Sequence, residues 1–149
     1  MSIKPLIRPG HFLIASVVAT LVLVFFMEGV ARIVLGAPMK PAVLICNIFG
    51  WDESLLWLGE VIHFGLGIIA FPIGYVIALA VTGMRAGVVS GVIWGVILWI
   101  GAGTVFMSLA GAPLFWGFGK ATMAALVAHV AYGAVLGGLL GRGTQSAIV

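Results

Sequence analysis

Four ionisable side chains interrupt segments that otherwise have the composition of lipid-facing helices: Glu28, Glu60, His63 and His129. An ionisable group at membrane depth is energetically costly, so such residues mark candidate functional sites. Carboxylates and imidazoles together suit metal coordination, proton transfer and axial ligation of a haem. Which chemistry applies depends on the helices that carry the four groups.

The composition is that of a membrane protein. Of the 149 residues, 63% are hydrophobic and only 7% are charged, and the mean hydropathy is +1.31. A soluble domain carries about 25% charged residues, so we predict an all-α, polytopic membrane protein. The net charge of +3 is the balance of seven Lys and Arg residues against four Asp and Glu residues, and the basic residues are scattered singly, which excludes a nucleic-acid-binding surface. The single cysteine, Cys46, excludes an internal disulfide and a cysteine-based zinc cluster.

Four apolar runs are long enough to cross a bilayer, and they predict one domain, residues 1–149, folded as a four-helix transmembrane bundle. Pro and Gly residues separate the runs. The longest connection, between the first two runs, contains an apolar stretch from Ala42 to Phe49 that is too short to span. We expect this stretch to be an interfacial segment. The predicted spans are residues 10–35, 53–81, 86–110 and 120–141.

Helix geometry places the ionisable groups on one side of the bilayer. At about 1.5 Å per residue, Glu28 lies roughly 10 Å inside the end of the first span. Glu60 and His63 lie roughly 10 and 15 Å inside the second span, and His129 roughly 13 Å inside the fourth. Glu60 and His63 are three residues apart and so share a helix face. We therefore expect one buried site formed by three helices.

Two ligands fit such a site. The first is a b-type haem, with His63 and His129 as axial ligands and Glu60 as an orienting group or proton carrier. Its propionates would emerge at the rim of the site, where the sequence places Arg32, Lys40 and Lys120. The second is a single transition metal, bound by mixed imidazole and carboxylate ligands from Glu28, Glu60, His63 and His129.

Small residues stand one turn away on either side of both histidines: Gly59 and Gly67 around His63, and Ala125 and Gly133 around His129. They would leave room for a flat macrocycle, but the same spacing also explains close helix packing with nothing between. A glycine at every fourth position in the third and fourth spans predicts that these two spans are in contact. These glycines are Gly87, Gly91 and Gly95, and Gly133, Gly137 and Gly141.

Other interpretations of the polar groups stay open. A chlorophyll held by one histidine has the same sequence signature as a haem. Three methionines near the same ends of the spans would suit Cu(I), although methionine is commonly core filler; they are Met27, Met107 and Met123. Alternatively, Glu28 and Arg32, four residues apart, form an ion pair with a structural role only.

Two short motifs carry a resemblance. They are Ala19-Thr20 with Met27-Glu28 in the first span, and His129-Val130-Ala131-Tyr132-Gly133 followed by Gly137 in the fourth. The chain thereby resembles small, functionally uncharacterised four-span inner-membrane proteins of bacteria, which implies a multi-pass protein of that membrane. The positive-inside rule places both termini in the cytoplasm, with four basic residues (Lys4, Arg8, Arg85 and Arg142) against three.

These features favour a haem- or metal-binding accessory or electron-transfer subunit of a bioenergetic membrane complex. So small a bundle is not expected to have catalytic activity of its own, and its partners would be the lipid bilayer and other membrane subunits or further copies of itself. One alternative is a homo-oligomeric transporter or channel component, in which the ionisable groups carry protons or cations and Pro72 with Gly74 forms a gate. The other is a purely structural membrane subunit.

Overall fold

The computed structural model describes residues 8–145, and all the regular structure in that range is helical. Lys4, one of the residues in the orientation count, lies outside it. Five helices, α1 to α5, and one short 3₁₀ helix make up the described chain. They are α1 (Pro9–Leu35), α2 (Pro41–Phe49), α3 (Glu53–Thr82), α4 (Val88–Leu109), the 3₁₀ helix Leu114–Phe118 and α5 (Lys120–Gln145). By length and composition α1, α3, α4 and α5 can each cross a membrane. The predicted all-α class with four transmembrane helices is confirmed.

Proline and glycine set the helix ends. Pro9 and Pro41 stand in the first turns of α1 and α2, where no N–H partner is needed. Gly36 ends α1 and Gly50 ends α2, with φ angles of +79° and +66° that glycine adopts without steric cost. The chain therefore turns sharply on both sides of α2, which folds α2 back against the first half of α3.

Helix α5 is the centre of the bundle. It packs most extensively on α4 and also on α1. Glycines make the α4–α5 contact possible, because a Cβ on Gly91 would collide with the carbonyl oxygen of Gly133, and one on Gly137 with that of Gly87. The predicted contact between the two glycine stripes is thus confirmed. The outward side chains are large and apolar, as lipid contact requires, among them Ile14, Phe25, Ile33, Ile69, Val81 and Val105.

Three of the four long helices contain a π-helical turn: Phe25–Val30 in α1, Leu66–Ala70 in α3 and Ala102–Phe106 in α4. In α3 the cause is visible in the sequence. Pro72 has no N–H for the preceding turn and its ring crowds a carbonyl there, and the wider turn directly before it relieves the crowding. Tyr132 of α5 donates a hydrogen bond of 2.8 Å to the carbonyl of Gly67 inside this π turn. The turn is thereby fixed to the centre of the bundle.

The first turn of α3 carries a testable pH dependence. Asp52 caps this turn, accepting a hydrogen bond of 2.8 Å from the Ser54 backbone N–H, and the hydrogen bonds from Ser54 lower the pKa of the carboxyl. The pKa of Asp52 is lower in the folded than in the unfolded protein. The ionised cap therefore stabilises the folded protein at a pH above the ordinary pKa of 3.8, and this stabilisation is lost as the pH falls through the folded pKa. We expect Asp52→Ala to lower the thermal midpoint at neutral pH but not in acid.

Asp52→Asn is the matched control, since the amide oxygen also caps a helix but does not titrate. Its midpoint relative to the wild type should be nearly unchanged at neutral pH. Circular dichroism of detergent-solubilised protein measures all three midpoints. If Asp52→Ala lowers the thermal midpoint by as much in acid as at neutral pH, this role of the carboxylate is contradicted.

Candidate functional site

A cavity of about 730 Å³ lies inside the half of the bundle where α1 ends and α5 begins. It is bounded by α1, α3, α4 and α5, by the connection from Gly36 to Lys40, and by α2. Its volume falls within the range of small-molecule and cofactor sites, about 300–1,000 Å³. The wall is almost wholly apolar, and three of its residues titrate: Lys40, His63 and His129. The two histidines therefore share one cavity.

His129 on α5 is buried and held in a defined orientation. Its Nδ1 lies 2.7 Å from the carbonyl oxygen of Ala125, one turn earlier. A carbonyl oxygen only accepts, so Nδ1 carries the proton and Nε2 keeps a free lone pair. Gly95 of α4 fits directly against the His129 carbonyl, which fixes the backbone as well. Histidines that ligate metals and haem iron have this arrangement, in which one ring nitrogen donates to a fixed acceptor and the other faces the ligand.

His63 on α3 is also buried and lines the same cavity. Nδ1 of His63 is buried without a hydrogen-bond partner among the residues that the structure describes. A buried polar atom without a partner is costly, and in native proteins it points to a bound water, ion or ligand. One ring nitrogen of His63 is thus without a partner in the described part of the chain.

The two carboxylates do not join the histidines in the cavity wall. Glu60 is half-buried beside the cavity, and no hydrogen bond joins it to His63 within residues 8–143. Glu28 is exposed, because in the π turn Phe25–Val30 it is Met27 that faces the cavity. Lys40 is thus the ionisable residue that joins the two histidines in the described wall.

The metal hypothesis required all four side chains to converge. In the part of the chain that the structure describes, no group of three or more His, Cys, Asp or Glu residues is arranged to hold a metal ion. The alternative ion pair between Glu28 and Arg32 is not formed in the described part of the chain either. The structure brings together the two histidines of the predicted set and leaves both acids outside.

The small residues beside the histidines serve packing. Gly59 lies against the backbone of Ala42, where a Cβ would come within 2.7 Å of the carbonyl oxygen, and Gly67 lies equally close to the Thr20 side chain. Gly133 is in contact with Gly91. Of the two explanations for these residues, close helix approach is the one observed. The open space instead lies towards larger side chains of α3 and α4, such as Leu66, Phe71, Leu98 and Phe106.

The three basic residues predicted at the rim of the site do not lie together. Lys40 lines the cavity, whereas Lys120 lines a smaller cleft of about 270 Å³ between α1 and α5, and Arg32 borders neither. The three methionines of the copper interpretation do not lie together either. Met27 lines the cavity, Met107 is buried elsewhere, and Met123 is largely exposed in the smaller cleft.

Sequence reasoning missed two parts of this site. The connection Gly36–Lys40 forms a wall of the cavity and is fastened by a hydrogen bond of 2.8 Å from the Met39 N–H to the Met27 carbonyl. Trp116, in the short connection before α5, forms another wall. A usable signal was the run Leu114–Phe118, since three aromatic residues in a tight connection are unusual for an exposed loop.

Comparison with known protein families gives a match over most of the chain. Residues 10–147 match a family described as "Family of unknown function (DUF6789)". The chain belongs to this family. The match extends over all four long helices and both histidines of the cavity, in keeping with the expected kinship to small uncharacterised proteins. Searches of the curated proteins and of the solved structures found no match.

Proposed function

We propose that this membrane protein binds a b-type haem in the cavity, with His129 as an axial ligand, and serves as an electron-transfer subunit of a bioenergetic membrane complex. One observation carries the proposal: His129, a buried imidazole whose Nδ1 is hydrogen-bonded to a backbone carbonyl, lines an apolar cavity of about 730 Å³, which leaves Nε2 as the nitrogen available to a ligand.

The cavity wall suits this ligand. Apolar side chains from four helices can accept a flat hydrophobic ring system. Lys40, exposed and yet part of the wall, supplies one cation for a propionate. Glu60 and Glu28 are not part of this wall.

His63 is the proposed second axial ligand. It comes from a different helix than His129, lines the same cavity, and has a buried ring nitrogen without a described partner. Ligation by two imidazoles would fill both axial positions and favour electron transfer over chemistry on a bound molecule. A bound haem would supply a one-electron redox couple, whose potential depends on the axial ligands and on the apolar surroundings.

The composition of the wall favours binding over catalysis. Acid–base catalysis needs positioned titratable groups, and the described wall offers two histidines and one lysine among mostly aliphatic and aromatic side chains. With both histidines engaged by the ligand, no general acid or base is left in the wall except Lys40. The chain therefore serves to hold a cofactor, and a partner subunit would supply or accept the electron.

The absorption spectrum of the purified protein tests the proposal. We expect the Soret and visible bands of a b-type haem, or their appearance when colourless protein is titrated with haemin to one equivalent. Metal analysis of the same sample distinguishes haem iron from a bare transition metal. Protein that is colourless, metal-free and unable to bind haemin saturably would remove the proposal.

A further inference from the structure

A strained left-handed turn stands at the wall of the cavity. In the short helix Leu114–Phe118, the φ angles are +47° at Phe115, +53° at Trp116, +73° at Gly117 and +58° at Phe118. In this conformation the Cβ of a non-glycine residue crowds the next carbonyl oxygen, and three such residues in one turn are rare. Strain of this kind persists where surrounding contacts enforce it, and it clusters at ligand-binding sites.

The surrounding contacts are centred on Phe115. Its ring lies 4.8 Å from that of Trp99 and occupies the space beside Gly103, where a Cβ would collide with it. Its carbonyl accepts a hydrogen bond from the Thr122 hydroxyl, and the Thr122 carbonyl accepts one of 3.2 Å from Trp99 Nε1. The left-handed turn is thus fastened to both α4 and α5.

The fastened turn has one evident consequence, the position of Trp116. This half-buried side chain lines the cavity together with Ala121 and His129 of α5. Neither Phe115 nor Phe118 lines it, and Phe118 is 74% exposed. Of the five tryptophans, Trp116 is the one in the cavity wall, since the other four lie elsewhere: Trp51, Trp57, Trp94 and Trp99.

We infer that Trp116 is a ligand-binding residue that stacks on a flat conjugated ring and selects planar ligands for the cavity. The inference rests on the proposed function, because it assigns the ligand class of the same cavity. An indole is the largest flat apolar surface in a wall otherwise made chiefly of aliphatic side chains and phenyl rings. Offset stacking on an indole favours planar aromatic ligands over branched ones of equal volume. A strained backbone is the means of holding this surface at the cavity.

The test uses two probes with the 149-residue chain in detergent: haemin, and iron-free protoporphyrin IX. Protoporphyrin IX has the same flat ring but forms no bond to a histidine, so its affinity reports the ring contacts without axial ligation. We expect Trp116→Ala to weaken binding of both probes about tenfold, and Trp116→Phe, which keeps a flat ring, to restore most of it. Trp57→Ala, which removes an exposed indole outside both the turn and the cavity wall, is the control and should bind both probes as the wild type does.

A second variant reaches the same contact indirectly. Gly103→Ala places a methyl group against the Phe115 ring, which should displace the turn and weaken both probes in the same direction as Trp116→Ala. Trp116→Ala that binds protoporphyrin IX with wild-type affinity would overturn the inference. If the wild type binds protoporphyrin IX but shows no histidine-ligated haem spectrum, the proposed function fails and the inference stands. If the wild type binds neither probe, both are wrong.

Discussion

Replacing His129 by alanine is expected to weaken haemin binding by about a hundredfold or more. Loss of a partner that only orients a ligand residue costs about 10- to 100-fold in affinity, and loss of the ligand residue itself should cost at least that. His129 is the histidine whose tautomer is fixed, through the 2.7 Å hydrogen bond from Nδ1 to the Ala125 carbonyl. Haemin titration followed at the Soret band measures the affinity, and we expect the spectrum of the variant to resemble that of free haemin in detergent.

His11→Ala is the matched control for this experiment. His11 also donates a ring nitrogen to α5, 2.7 Å from the Leu139 carbonyl, but it lies outside the cavity. A general loss of histidine or of helix packing would affect both variants, whereas loss of an axial ligand affects His129→Ala alone. His63→Ala should retain haemin with a spectrum altered by the loss of one axial imidazole. Equal affinities in His129→Ala and His11→Ala would show that His129 is not a ligand.

Replacing Gly91 by alanine is expected to destabilise the bundle by about 1–3 kcal/mol, the usual cost of overpacking. The added methyl group would meet the Gly133 carbonyl, a backbone atom that cannot rotate away. To make room, α4 and α5 would have to separate along the glycine stripes that hold them together. Unfolding by sodium dodecyl sulfate, followed by circular dichroism in mild detergent, measures the change in the free energy of unfolding.

Gly65→Ala provides the matched substitution. Gly65 is also inside a membrane-spanning helix, but a Cβ there has nothing within 4 Å. Without a collision, alanine should stabilise the helix by about 0.5–1 kcal/mol, since glycine has more backbone entropy to lose. The same substitution should therefore lower the free energy of unfolding at Gly91 and raise it at Gly65. A Gly91→Ala protein as stable as Gly65→Ala would show that the α4–α5 contact is looser than described.

The glycine contact and the cavity are physically linked. Gly95, one turn after Gly91, fits against the carbonyl of His129, so the separation of α4 from α5 would also move the proposed ligand. We therefore expect Gly91→Ala to weaken haemin binding in addition to lowering stability. The effect on haemin should be smaller than that of His129→Ala, because the imidazole itself remains.

The sequence alone was sufficient for the helical class, the four membrane-spanning helices and the glycine contact between α4 and α5. These features follow from local properties: a run of about 20 apolar residues spans a bilayer, and a glycine at every fourth position forms a stripe on one helix face. The sequence also identified His63 and His129, because buried imidazoles are rare in apolar helices. Depth counted along ideal helices placed them at similar levels, and they do share a cavity.

The tertiary structure decided what ideal helix geometry could not. In α1 the buried side follows Ala19, Leu23 and Met27, so Met27 lines the cavity and Glu28 is left exposed. Gly59 and Gly67 pack against Ala42 and Thr20, which are distant from them in the chain. The position of Trp116 follows from a left-handed turn held by α4 and α5. Each of these outcomes is set by contacts between elements, and no periodicity within one segment encodes them.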